Sequence, residues 1–148
     1  MERVRDAVIE ALEKVLKPTG ILLRNDSPIR ALEGLHDYVE VIGTVPGSVD
    51  LEENGVRFRV SARAGQKTGW FYDQRENRAR LARYVKGLRV LVLFSYVGGW
   101  GVQAAAAGAR EVLCVDASQD ALQHVATNAQ LNGLDQRVHT RTGDAFAV

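Results

Sequence analysis

The sequence predicts an α/β protein: a doubly wound parallel sheet preceded by a small α+β unit. Three observations carry this. From Arg89 onward, apolar strands and helical stretches alternate in the order βαβαβ. The first of those strands, RVLVLF (89–94), stops at a loop with three glycines in four positions, Gly98, Gly99 and Gly101. Earlier in the chain, Asn54-Gly55 sits between DLEE and VRFRV, a two-residue hairpin signal that belongs to antiparallel structure. The organisation therefore changes along the chain, at about Gly65, giving units over residues 1–65 and 66–148.

In the first unit, Val4, Val8, Leu12 and Val15 recur at helical spacing and form one face of a helix that Pro18 and Gly20 stop. ILLR (21–24) is a short strand, NDSP (25–28) a turn or helix start, and YVEVIGTV (38–45) alternates as a strand does. In the hairpin, Val56, Phe58 and Val60 face one way, and Arg57, Arg59 and Ser61 the other.

The second unit begins with an irregular glycine-bearing stretch. Its Lys67-Thr68 pair is not a phosphate-binding P-loop, because that motif runs straight into a helix and here WFY follows. Asp73 reads as the N-cap of a helix over about 74–86, with Leu81, Ala82 and Val85 inward. RVLVLF, continuously apolar, reads as a strand buried on both faces. VGGWGVQAAAAGA is the glycine loop and a short alanine-rich helix, and EVLCVD (111–116) is the second strand. A helix over 118–133 is capped by Ser118, buries Ala121, Leu122, Val125, Ala126 and Ala129, and ends at Asn132-Gly133. VHTRTGD (138–144) is the third strand.

The composition, 46% hydrophobic and 25% charged over 148 residues, suits a globular chain with a core. No apolar run reaches the ~18 residues of a membrane-spanning helix. The N-terminus has no uncharged apolar segment of the secretory kind, and the one cysteine, Cys114, has no intrachain partner, so a cytoplasmic setting is expected. The net charge of +1 hides an asymmetry: residues 57–89 hold ten Lys/Arg against two acids. Such a zone attracts phosphates or is simply a solvated face. Arg78, Arg80 and Arg83 are its candidate RNA contacts.

Ligands of doubly wound sheets sit at the carboxyl ends of the strands. A glycine loop there lets backbone approach a ligand, although glycines also serve tight helix–strand packing. Asp116 ends the second strand, where an acid accepts from ribose hydroxyls. Asp144, beside Phe146, ends the third, where an acid and an aromatic suit an adenine. A nicotinamide site wants G-x-G-x-x-G, which YVGGWG lacks. S-adenosylmethionine, with no phosphates and a need for polar contacts at ribose, adenine and amino-acid end, fits the three tips better.

QKTGWFYDQRENR (66–78), VLVLFSYVGGWGVQAA (90–105), VLCVDASQDAL (112–122), NAQLNGL (128–134) and GDAF (143–146) together resemble the class I methyltransferases of bacterial large-subunit ribosomal RNA. The likeness is strongest to the cytosine-C5 group of the RlmI type, and covers about residues 36–148. The TGWFYDQR stretch followed by FSYVGG carries the specificity; GDAF and NAQLNG are general to class I enzymes. The resemblance implies a Rossmann-like sheet in the order 3-2-1-4-5-7-6, with S-adenosylmethionine as cofactor and ribosomal RNA as partner. It implies that Phe94, Ser95, Tyr96, Gly98 and Gly99 line the methionyl and ribose side, and that Asp116 holds the ribose with Ala117 next to the adenine. Asp144, Ala145 and Phe146 would meet the adenine. Asp73, Gln74 and Arg75 would close the other side, Arg75 facing the cofactor carboxylate. Each also has a plainer reading: Asp73 a helix cap, Arg75 a solvated residue, Phe146 core packing.

By the same resemblance, an RNA-binding domain precedes this region, and the fourth-strand motif and the catalytic cysteine that adds to cytosine C6 follow it. Residues 66–148 would then be the N-terminal half of the methyltransferase domain, inactive alone, with the small unit on the substrate side. Cys114, inside EVLCVD, is a core residue and not that nucleophile. His36, His124 and His139 have no metal or catalytic spacing. With no fourth strand beside it, RVLVLF would be an exposed apolar edge, and pairing of two copies through residues 89–94 is expected. The alternative functions are a non-catalytic RNA-binding module using the 57–89 zone and a nicotinamide-dependent half-domain.

Overall fold

Charge pairs and half-buried side chains, with no fully buried residue among those described, hold the first unit, Met1–Gly47. The computed structural model describes residues 2–63 and 69–147. A single 3-10 turn, Glu2–Val4, leads into helix α1, Arg5–Leu16. Strand β1 (Gly20–Asn25) pairs antiparallel with β2 (Tyr38–Gly43), Leu22 opposite Val41, and the short helix α2 (Ile29–Leu32) lies between them in sequence. Arg30 reaches Glu2 at 2.9 Å, and Tyr38 Oη donates to the same carboxylate at 2.9 Å. These bonds, from Arg30 first, hold the Glu2 carboxyl below its ordinary range. The expected α1 face is rotated. Val4 and Val15 are exposed, while Ile9 and Leu12, with Val8 beside them, line a groove with Leu23. From the same helix Arg5 reaches across to Glu40 at 2.5 Å.

In the second unit, Ser48–Val148, β3 (Ser48–Glu53) and β4 (Val56–Ser61) form the expected hairpin, with Asn54 and Gly55 at φ 55° and 76° as a type I′ turn needs. Val56, Phe58 and Val60 are buried, and the Phe58 ring lies 4.5 Å from Trp70. The two compact units meet between Gly47 and Ser48, while Gly65, near which the sequence changes its organisation, lies outside the described residues, as do Lys67 and Thr68. The hairpin belongs to the sheet unit because two asparagines hold it there. Asn128 Oδ1 accepts from Arg59 N at 2.7 Å, and Asn132 both accepts from Arg57 N (3.0 Å) and donates to Arg57 O (2.7 Å).

The sheet itself is β5 (Arg89–Leu93), β6 (Glu111–Asp116) and β7 (Val138–Thr142), parallel, in the order β5-β6-β7. Helix α3 (Arg75–Val85) precedes it, and α4 (Gly99–Ala106) and α5 (Gln119–Leu131) are its crossovers. Ser118 Oγ caps α5 by accepting from Ala121 N. Three expectations are corrected. Asp73 lies in the 3-10 turn Tyr72–Gln74 and does not cap α3, which starts from Gln74 with no side-chain cap. Ala82 and Ala126 are exposed, and Arg78 and Asn128 take the inward places. And β5 is covered on one face only: Leu91 is 56% exposed, because α4 and α5, the helices of two successive right-handed crossovers, lie on the same side of the sheet.

Candidate cofactor site

The three strand ends are stitched into one surface. Ser95 N donates to Val115 O at 3.0 Å, and Gly143 N to Asp116 O at 3.0 Å. The Asp116 carboxylate holds both neighbouring loops, accepting from Tyr96 N (2.8 Å) and Ser118 N (3.0 Å). Between β5 and α4 the chain is strained. Phe94 and Tyr96 take left-handed φ values of 53° and 47°, each costing on the order of 1–3 kcal/mol for a side chain of that size. Gly98 follows at φ 88°, and α4 starts directly after it. A Cβ on Gly98 would stand 3.2 Å from Val102 and Val125 methyls, so packing as well as backbone angle selects glycine there. Gly101 is fixed by close approach alone, since a Cβ there would collide with Cys114 Sγ.

A cavity opens beside this loop, walled by Phe94, Ser95, Tyr96 and Gly99 on one side and by Trp70, Phe71, Gln74 and Arg78 on the other. The second wall is held from below by a buried polar cluster. Glu53, at the end of β3, accepts from Arg78 Nε (2.6 Å) and Nη2 (2.9 Å), from Trp70 Nε1 (3.0 Å) and from Gln103 Nε2 (2.8 Å). Burial opposes ionisation of Glu53, but the bonds from Arg78, Trp70 and Gln103 outweigh it and hold the carboxyl below its usual range. Arg78 also donates to Phe71 O at 2.7 Å and lies over the Trp70 ring at 4.7 Å. In the first wall, Ser95 Oγ is buried and has no hydrogen-bond partner among the described residues. A hydroxyl left so costs about 1–3 kcal/mol, which a bound polar group would offset.

The sequence-predicted residues divide accordingly. Phe94, Ser95, Tyr96, Gly99 and Gln74 meet in the cavity, and Gly98 ends its loop. Asp116 adjoins it through Tyr96, with Ala117 exposed next to it. Asp144 is exposed and closes a turn by accepting from Phe146 N at 2.9 Å, with Ala145 half-buried between them. The Phe146 ring is edge-on to Phe94 at 5.9 Å and is 90% exposed, so it is not core packing. Asp73 and Arg75 do not line the cavity: Asp73 is exposed and bonded to Gln74, and Arg75 is exposed, only its carbonyl being tied, to Asn54.

Arg78 corrects the expected RNA surface: it is 4% exposed and ion-paired, so it is no RNA contact. Arg80 and Arg83 are exposed. Arg59 pairs with Asp50 at 2.6 Å and Arg89 with Glu111 at 2.9 Å, which reduces the charge the 57–89 zone presents. Trp70, Phe71, Arg78, Val97 and Trp100 were missed as cavity residues. One signal was available for Arg78, which shares the helical period of Leu81 and Val85 and so belongs to the inner face of α3. Burial pushes the Cys114 thiol up to about 12, as an inert core residue requires. No group of metal-ligating residues occurs among the described residues.

Parallel strands in this order, two crossover helices on one face and a cavity at the strand ends make this a class I methyltransferase fold. The chain belongs to the S-adenosylmethionine-dependent methyltransferase family, which it matches over residues 36–146. It is 46% identical over 134 residues to ribosomal RNA large subunit methyltransferase I of Aeromonas hydrophila, covering 88% of this chain and 34% of that protein. To the Vibrio cholerae protein of the same name it is 42% identical over 136 residues, covering 90% of this chain and again 34% of the relative. The chain thus spans about a third of the curated relatives it matches. Among solved structures, a candidate S-adenosylmethionine-dependent methyltransferase from Streptococcus mutans superposes with a TM-score of 0.81 at 26% identity, over 99% of this chain and 38% of that one. The tRNA m1G37 methyltransferase of Methanocaldococcus jannaschii, at 20% identity, shares the fold with a TM-score of 0.75 over 100% of this chain and 44% of that one. No helix among the described residues is long and apolar enough to cross a membrane.

Proposed function

We propose that this chain binds S-adenosylmethionine at the ends of β5, β6 and β7, and that the protein it represents methylates cytosine C5 in large-subunit ribosomal RNA. The observation that carries the cofactor reading is the loop of Ser95: a strained segment that lines a cavity at the strand ends and holds a buried hydroxyl without a partner among the described residues. The residues present fit the cofactor. Phe94, Ser95, Tyr96, Gly98 and Gly99 would take its methionyl and ribose side. Asp116, each carboxylate oxygen of which keeps a lone pair beyond its one backbone bond, would accept from the ribose hydroxyls. Phe146 would pack on the adenine, with Asp144, Ala145 and Ala117 at its edge. When bound, the cofactor supplies a methyl group activated by its sulfonium. The ribosomal RNA reading is supported by the names of the relatives and by Arg75, Arg80, Arg83 and Lys86, which stand exposed on and just after α3.

Calorimetric titration tests the cofactor reading. S-adenosylhomocysteine is expected to bind and NADH not to, and Asp116→Ala is expected to weaken the first. Heat with NADH alone, or none with either at millimolar ligand, rejects it. For RNA, binding should weaken steeply with salt, and more shallowly once Arg80 and Arg83 are neutralised. An unchanged salt slope removes that surface from consideration.

A further inference from the structure

At the end of the sheet opposite the cavity, three loops from distant parts of the sequence are stitched side by side. Gly87 N donates to Gly108 O, Arg110 N to Leu88 O and Val112 N to Arg137 O, each at 2.8 Å. Each loop carries one exposed cation there: Lys86, Arg110 and Arg137. The Lys86 stem lies against Gly108, where an added Cβ would stand 3.5 Å from Lys86 Cγ. None of the three charged groups has a hydrogen-bond or ion-pair partner among the described residues. The loops hold one acid, Asp135, and Glu111, at the start of β6, is already paired with Arg89 at 2.9 Å. Helix α3 joins this end of the sheet to the cavity: Gln74, just before it, lines the cavity, and Gly87, just after it, is bonded into the loops. Its Arg80 and Arg83 are exposed, and its one acid, Glu76, stands at the cavity end. The helix is ~16 Å long and two strand spacings add ~10 Å, so the cations form a row of roughly 26 Å. One exposed arginine is only solvated, but a row of unpaired cations this long matches a polymer of regularly spaced negative charges. A lipid surface would ask for an apolar face beside the charge, and α3 shows Asn77, Arg80 and Arg83 there instead.

We propose that Lys86, Arg110 and Arg137 form a second RNA contact at the N-terminal ends of β5, β6 and β7. It continues the α3 surface under the sheet and holds the sugar–phosphate backbone away from the reacting base. This rests on the ribosomal RNA reading above and extends it to a face outside the candidate site. Sequence counting missed the cluster because Arg110 and Arg137 lie beyond the basic stretch 57–89 and reach Lys86 only through the fold.

The test is fluorescence anisotropy of a labelled RNA oligonucleotide of mixed sequence, titrated with the full chain over a series of salt concentrations. Arg110→Gln combined with Arg137→Gln should weaken binding on the order of tenfold at about 0.1 M salt and lower the slope of log affinity against log salt by about 1.4–1.8. Both side chains are exposed and unpaired, so the urea midpoint should stay at the parent's value. Arg3→Gln combined with Lys14→Gln removes the same charge from exposed positions of the first unit and should leave affinity and slope unchanged. An unchanged slope in the Arg110/Arg137 variant, with the parent binding RNA and the Arg80/Arg83 variant weakened, overturns the second contact and leaves the RNA reading standing. Equal losses in the Arg3/Lys14 variant also overturn it, because net charge alone would then explain the effect. Loss of binding to phosphatidylserine vesicles with RNA affinity unchanged assigns the surface to lipid and overturns it as well. A parent chain that binds no RNA overturns the contact and the RNA reading together.

Discussion

Replacing Glu53 by Gln puts the buried cluster to the sharpest test. The side chain keeps its shape, and Oε1 can still accept from Arg78 Nε. The other terminal atom becomes an NH2 group, and it meets two donors, Arg78 Nη2 and Trp70 Nε1, where Glu53 Oε2 had accepted both. Arg78, 4% exposed, is left as a buried cation without its counter-charge. Breaking a buried pair in this way costs about 3–5 kcal/mol. That is a large part of the 5–15 kcal/mol typical of a domain. With a urea slope of about 1–3 kcal/mol per molar, the midpoint should fall by at least about 1 M, read by the fluorescence of Trp70 and Trp100. Acid dependence gives a second readout. The Glu53 carboxyl is held below its ordinary value of 4.5, so its stabilising contribution is complete above that value and disappears as pH falls through the lower, folded-state value. The parent chain should therefore lose stability more steeply below about pH 4.5 than Glu53→Gln does. A loss under about 1 kcal/mol, or acid limbs of equal steepness, would refute the claim that this cluster holds the cavity wall.

Other outcomes follow from packing and exposure. Gly101→Ala should cost about 1–3 kcal/mol because its methyl meets Cys114 Sγ, and Cys114→Ala in the same chain should recover part of that loss; strictly additive costs would contradict the contact. The Cys114 thiol, raised to about 12 by burial, should resist alkylation at pH 8 in the folded chain and react in urea, and rapid labelling without denaturant would contradict its burial. Strand β5 is a sheet edge with Leu91 and Leu93 uncovered, so two copies should associate through residues 89–94; a monodisperse monomer in light scattering at high concentration sinks this.

The βαβαβ half was legible because its strands and helices follow strong local signals: glycine punctuation, the Ser118 cap and apolar periodicity. Strand β6 matches EVLCVD residue for residue. The attachment of the hairpin to the sheet was not legible, because the bonds that make it are long-range. Asn128 and Asn132 sit 69 and 75 residues from the backbone groups they bind. The same holds for the site. Loop residues Phe94, Ser95 and Tyr96 are contiguous and could be read together, whereas Glu53, Trp70 and Arg78 converge only in three dimensions. Charge counting placed Arg78 on the surface because it could not see the carboxylate that buries it. The open face of β5 was misread for a related reason, since an apolar run does not say how many of its faces are covered.

Amide chemical-shift mapping during titration with S-adenosylhomocysteine tests the central claim most directly. Binding at the strand ends predicts shifts concentrated at Phe94–Gly99, Asp116–Ala117 and Asp144–Phe146 and at the indoles of Trp70 and Trp100. Shifts absent at saturating ligand, or gathered away from the carboxyl ends of β5, β6 and β7, would contradict it.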